Sequence, residues 1–248
     1  MSINTSVVTS TGNRVVKEFK ELHRSRNRRQ KNRTIIEGPT VFSVFVDNGV
    51  TPVSVIAHQS DRTTIDICSR RQIPLTLASE HVVHAAGGTV TTPGPVALID
   101  IPMAATLQRS NTLVLVDIAD PGNVGTMIRT SAAFGWDVAY AGATADPWAP
   151  KTIRAATGAH VYTRLIPLPQ GLGPIREAGL TILASIVDDG DTPARSTDPV
   201  ALLIGSEAHG LPEWALGPDA TPVSIEMPGG VESLNAAIAA GILVHQLS

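Results

Sequence analysis

Three short segments in the second half of the chain carry the side chains best suited to chemistry. Asp120-Pro-Gly-Asn-Val-Gly-Thr-Met-Ile-Arg129 offers an amide and a guanidinium six residues apart; Gly205-Ser-Glu-Ala-His-Gly-Leu211 offers a carboxylate, Glu207, between two glycines; and Pro228 to Asn235 ends in Ser233-Leu-Asn235. The last two segments each follow an apolar run, Ala201 to Ile204 and Val223 to Met227. Loops that break from buried strands form the ligand-binding edge of open α/β sheets, and glycines there allow close approach of backbone and sharp turns. The chemistry implied is the holding and orienting of a ligand. Taken one at a time, each polar residue also has an ordinary reading: Asn123 and Ser233 as helix caps, Arg129 as a surface ion-pair partner, Glu207 as an exposed loop carboxylate.

Other templates fail. The chain has no G-x-x-x-x-G-K-[ST] phosphate loop, no G-x-G-x-x-G fingerprint and no G-x-S-x-G elbow, which argues against a P-loop NTPase, a standard dinucleotide enzyme and a serine hydrolase. His81 and His84 have helical spacing but no matching carboxylate pair, so no metal is expected. His209 reads as polar surface.

The elements that must position these residues alternate. The first half reads as helix Val15–Leu22, strand Thr34–Glu37, helix Thr40–Asp47, strand Val53–Ala57, helix Arg62–Gln72 and strands Leu75–Leu77 and Val96–Ile101, with a Ser/Thr-rich, disordered start at residues 1–13. After a linker, Pro102 to Ser110, the second half reads as strand Leu113–Asp117, helix Asn123–Phe134, strand Val138–Ala141, helix Pro150–Gly158, strand Val161–Ile166, helix Leu172–Ala178 and strand Thr181–Val187. Strands Ala201–Ile204 and Val223–Met227 and a helix Ser233–Gln246 complete it. Strands separated by helices imply mostly parallel sheets, and unbroken apolar strands such as Leu113 to Val116 imply cover on both faces. Two α/β domains follow, 1–106 and 107–248, the first the smaller.

Nine of the 19 Lys and Arg residues lie between Arg14 and Arg33, opposed there only by Glu18 and Glu21, although the whole chain of 248 residues carries a net charge of −3. Such a block suits a polyanion, or else is a solvated charge run. The lone Cys68 excludes an internal disulfide and reads as inert packing in a reducing compartment. No signal peptide and no membrane-length apolar run is present, so the expected location is the cytoplasm, away from membranes.

Taken together, Asn123-x-Gly125-x-x-x-Arg129, Gly205-Ser-Glu207-x-x-Gly210-Leu211 and Ile225-x-Met227-Pro…Ser233-Leu-Asn235 resemble the three motifs of the SpoU (TrmH) branch of the SPOUT RNA 2'-O-ribose methyltransferases. The resemblance spans about Leu113 to Leu247. Arg28-Arg-Gln-Lys-Asn-Arg-Thr-Ile-Ile-Glu-Gly38 is similar to the basic loop and strand that open the ribosomal-protein-like RNA-binding domain of that family. The resemblance implies a C-terminal domain with a deep trefoil knot, S-adenosylmethionine as cofactor, a homodimer, and RNA as substrate. Carried onto this chain, it implies catalytic roles for Arg129, Asn123, Glu207 and Asn235, and cofactor contacts, largely through backbone groups, at Leu203, Ile204, Gly205, Ile225, Met227, Ser233 and Leu234. It also implies RNA contacts at Arg24, Arg26, Arg28, Arg29, Lys31 and Arg33. Glu226 departs from the usual Ile-Pro-Met triplet, and its carboxylate either points outward or approaches the sulfonium. The two-domain layout and Cys68-Ser-Arg-Arg-Gln-Ile-Pro-Leu75 resemble thiostrepton-resistance ribosomal RNA methyltransferases. Ribosomal RNA is the expected substrate, with antibiotic self-protection as one role; a transfer RNA methyltransferase and a non-catalytic RNA-binding protein are the alternatives.

Overall fold

Ile35 and Ile36 are neighbours in sequence, both buried, and belong to cores on opposite sides of one sheet. The pleat sends successive side chains to opposite faces, so a continuous apolar strand demands cover on both. The computed structural model describes residues 4–88, 94–187, 190–229 and 231–248, and this sheet is the centre of its first unit, Met1–Pro102 with Trp148–Val161. Strands β1 (Asn4–Val8), β2 (Arg33–Glu37), β3 (Ser54–His58), β4 (Leu75–Ala78) and β5 (Val96–Asp100) lie in the order β1-β4-β3-β5-β2. One face packs Ile36, Val55 and Ile99 on Phe42 and Phe45 of α3 (Pro39–Asp47) and on Cys68 of α4 (Arg62–Arg71). The other packs Ile35, Ile56 and Leu98 on Phe19 of α1 (Arg14–Glu21) and Val82 of α5 (Glu80–Gly87).

Several expectations change. The start of the chain was expected to be disordered, but residues 4–8 form β1, parallel to β4. Val8 packs on the core, and the Thr9 carbonyl meets His81 Nε2 at 2.9 Å. The sheet is mixed, because β5 runs antiparallel to both β2 and β3. Helix α5 went unforeseen: its eight residues end in Gly87 and are capped by Gly88, so only the buried stripe Val82, Val83 and Ala86 marks it. The basic block is helical over α2 (Ser25–Lys31).

The second unit, Met103–Pro147 with Tyr162–Ser248, holds β6 (Thr112–Val116), α6 (Pro121–Ala133) and β7 (Asp137–Ala141), followed in sequence by α7 (Pro150–Ala155) of the first unit. It continues with β8 (Leu165–Pro167), α8 (Gly173–Glu177), β9 (Thr181–Ser185), β10 (Val200–Ile204), β11 (Ala220–Val223) and α9 (Ala236–Leu247). Its six strands are all parallel in the order β11-β9-β10-β6-β7-β8. One face buries Val114, Leu203 and Ala184 against Leu172, Ile175 and Leu211, while α6 and α9 pack side by side and contact β6, β7 and β10. The expected strand Val223–Met227 instead ends at Val223, where Ile186 N donates to its carbonyl at 2.9 Å; residues 224–227 then leave the sheet.

The division into units differs from a single cut at 106/107, since residues 148–161 group with the first unit. Ile153 is buried in that unit's core, Thr34 Oγ1 donates to the Trp148 carbonyl at 2.7 Å, and Arg154 pairs with the buried Glu37. Sequence adjacency carries no trace of this.

At the N-terminal edge of the second sheet, Asp137 accepts from Ser110 Oγ at 2.5 Å and from Arg164 Nε at 2.9 Å, and Arg164 also donates to its other oxygen. Burial pushes the Asp137 carboxyl up, but the Arg164 and Ser110 hydrogen bonds outweigh it, and the group lies below its ordinary value. The cluster joins the starts of β6, β7 and β8.

Candidate functional site

In an all-parallel sheet the carboxyl ends of the strands share one edge, and the predicted site residues of the second unit gather there. Beyond β10 the chain makes a loop that closes on itself: Gly210 N donates to the Ser206 carbonyl at 2.8 Å and His209 N to Ser206 Oγ at 3.3 Å. A Cβ at Gly205 would stand 2.2 Å from the Gly210 carbonyl carbon, and Gly210 has φ +64°. Both positions therefore require glycine, Gly205 because the loop folds back onto it. The result presents Glu207 beside the starts of two helices.

Helix α6 begins after Asp120, whose Oδ1 accepts from Gly122 N at 3.2 Å, with Pro121 in the first turn. Asp120, not Asn123, is thus the cap, and the Asn123 side chain is released. At α9 the cap is Asn235 rather than Ser233: its Oδ1 accepts from Ala237 N at 3.0 Å and Ile238 N at 3.3 Å. Backbone N–H groups can meet only the amide oxygen, so the Asn235 NH2 must face the other way. It donates to Asn123 Oδ1 at 3.1 Å and to Glu207 Oε1 at 3.4 Å. With its oxygen engaged, Asn123 turns its own NH2 to Glu207 Oε1. Three segments distant in sequence meet in one directional network that ends on a carboxylate. Arg129 stands outside these three bonds, exposed on α6, about 9 Å further along the axis and about 120° around it from Asn123.

Beside the network lies an open cleft lined by Ile204, Gly205, Glu207, Ile225, Met227, Ser233 and Leu234. The Leu203 side chain is fully buried in the apolar core on one face of the sheet, as the alternation of β10 requires, which leaves only its backbone for the expected cofactor contact. Glu226 is exposed between Ile225 and Met227, which both line the cleft, so its carboxylate takes the outward course. Ser185, Ile186 and Val187 also line the cleft and were not predicted. Their signal was available, since β9 ends at the same edge as β10. The walls are largely aliphatic, with Ala236 and Ala239 leaving room on the helix side and Glu207 supplying charge at the rim. Such a site suits a flat apolar group joined to a polar, cationic one.

In the first unit the predicted basic residues separate into three groups. Arg28 is buried, and its Nη1 donates to the carbonyls of Leu22 at 2.8 Å and His23 at 3.0 Å, satisfying the end of α1. It serves the fold and is withdrawn from the RNA-contact set. Lys31 pairs with Glu21 at 2.7 Å, which holds that carboxyl below its ordinary value, and Arg33 pairs with Asp100 at 2.8 Å and Glu18 at 3.6 Å. Arg24, Arg26 and Arg29 remain exposed on or beside α2. Cys68 is buried, and its thiol is pushed up to about 11, first by that burial and then by Asp61, in keeping with an inert packing residue. Among the described residues no group of three or more His, Cys, Asp or Glu is placed to hold a metal ion, and no helix is long and apolar enough to cross a membrane.

The model of the SpoU rRNA Methylase family matches residues 110–245. The 23S rRNA (guanosine(2553)-2'-O)-methyltransferase RlmP of Bacillus subtilis is 28% identical over 246 residues, covering 97% of this chain and 98% of the relative. The 23S rRNA (adenosine(1067)-2'-O)-methyltransferase of Streptomyces azureus is 25% identical over 233 residues, covering 86% and 85%. Among solved structures, an AdoMet-bound rRNA methyltransferase from Sinorhizobium meliloti superposes with a TM-score of 0.84 at 25% identity, covering 98% of this chain and 99% of that one.

Proposed function

Since the chain belongs to the SpoU rRNA methylase family and is an S-adenosylmethionine-dependent RNA methyltransferase, we propose that it methylates a ribose 2'-hydroxyl of ribosomal RNA at the Asn123–Glu207–Asn235 network. The observation that carries this reading is the convergence of that network on the rim of an aliphatic cleft at the strand ends. The cleft fits the cofactor: Ile225, Met227 and Leu234 offer apolar faces to an adenine, and the strand-end backbone offers amides and carbonyls to its edge. S-adenosylmethionine, when bound, supplies an electrophilic methyl group. A sugar hydroxyl is a poor nucleophile, so the protein must orient it and manage its proton. Asn123 and Asn235 fix Glu207 at the rim, where it meets the ribose. Arg129 grips the adjacent phosphate and stabilises charge developing on the hydroxyl oxygen; a guanidinium holds its proton too firmly to be a good base.

Arg24, Arg26 and Arg29 contact RNA phosphates in this reading, and the first unit is the RNA-binding one. The working molecule is a cytoplasmic homodimer, in which a second copy covers exposed Phe134 on α6's C-terminal side and Ile238 on α9. A trefoil threading of the second unit belongs to the same reading and rests on the family to which the chain belongs. Ribosomal RNA is favoured because the relatives named for it match across both units. Purified protein given methyl-labelled S-adenosylmethionine with ribosomal or transfer RNA should label a 2'-oxygen of ribosomal RNA. Transfer to transfer RNA alone, or to neither, overturns the proposal. The nucleotide found decides between a housekeeping mark and antibiotic self-protection.

A further inference from the structure

The polarity of the amide network says more about Glu207 than that it is held in place. Asn235 is locked by its cap, Asn123 is locked by Asn235, and both NH2 groups end on the same carboxylate oxygen, Oε1. Oε2 accepts no hydrogen bond among the described residues, while Glu207 itself lines the cleft. Two amides thus orient the group and leave its second oxygen as an acceptor at the rim. No other carboxylate lines this cleft among the described residues. Resting on the 2'-O-methylation reading, we propose that Glu207 Oε2 is the proton acceptor of the reaction. The ribose O2'–H donates to Oε2; as the O2'–CH3 bond forms, the C–S bond of S-adenosylmethionine breaks and its electron pair stays on sulfur as a neutral thioether. The proton passes to Oε2, so a carboxylate and a sulfonium become a carboxylic acid and S-adenosylhomocysteine.

The test is Glu207→Gln measured in single turnover on ribosomal RNA. A glutamine Oε1 still accepts from Asn123 and Asn235, so the network survives, but an NH2 replaces the oxygen that would take the proton. The transfer rate at saturating S-adenosylmethionine and RNA should fall by about 10²–10⁴-fold, the range that general-base catalysis supplies. Glu207→Asp, which retains a carboxylate, should keep more activity than Gln. A Gln variant within about threefold of wild type, well short of a general base's share, overturns the proposal, because only positioning would then be required of Glu207. An inactive wild type overturns the 2'-O-methylation reading itself, a result distinct from an active Gln variant.

Discussion

The two edges of the second unit's sheet are built from similar side chains and do different things. At the N-terminal edge Ser110, Asp137 and Arg164 converge from three segments, and both carboxylate oxygens of Asp137 are taken. At the C-terminal edge Asn123, Glu207 and Asn235 also converge from three segments, but both amides fall on one oxygen of Glu207 and the group faces a cleft. A closed network is a staple; one left open toward a cavity can act on a ligand. The difference lies in which lone pairs are spent, not in residue type.

Arg129→Ala should lower methyl transfer by about 10²–10³-fold, as loss of a charge-stabilising donor does, while S-adenosylmethionine binding by calorimetry is retained; full activity would remove Arg129 from the mechanism. Asn235→Asp separates capping from orientation. The carboxylate still caps α9 but repels Glu207, so transfer should fall by about a hundredfold, the scale of a small misplacement, with little change in Tm, whereas Asn235→Ala should also lose about 1 kcal/mol of cap.

The closed edge should answer in stability instead. Arg164→Met leaves the buried Asp137 carboxylate without its counter-ion, held by Ser110 alone, and should cost about 1–3 kcal/mol, discounted because Arg164 is partly exposed, with Tm lowered and the transfer rate at low temperature unchanged. Asp137 is held below its ordinary value, so the unfolded chain protonates first as pH falls. Its contribution is whole above about pH 4 and is lost below that, as the folded group itself titrates. Asp137→Asn should flatten this acid-side slope in denaturant titrations at different pH values. The smallest effects belong to α2. Replacing Arg24, Arg26 and Arg29 by Ala should weaken RNA binding and reduce its salt slope by up to about three, leaving Tm unchanged; Arg28→Ala should do the reverse.

Much of this was legible beforehand, for physical reasons. Buried strands such as Thr112–Val116 announce themselves through unbroken apolar runs, and the parallel second sheet follows from the helices between them. The short edge strand β1 was not legible, since its order comes from β4 beside it rather than from its own Ser and Thr residues. Arg28 looked like its basic neighbours because charge is visible in sequence and burial is not.

The amino-acid sequence alone determined the α/β class of both halves, the three chemistry-bearing segments and the glycines that let one of them turn, because these depend on local periodicity, backbone freedom and residue type. Only the tertiary structure decided that Asp120 and Asn235 cap the helices, that Asn123 is thereby released, and that both amides end on one oxygen of Glu207. Hydrogen-bond direction depends on which donors and acceptors long-range packing has already used, and no spacing along a chain records that.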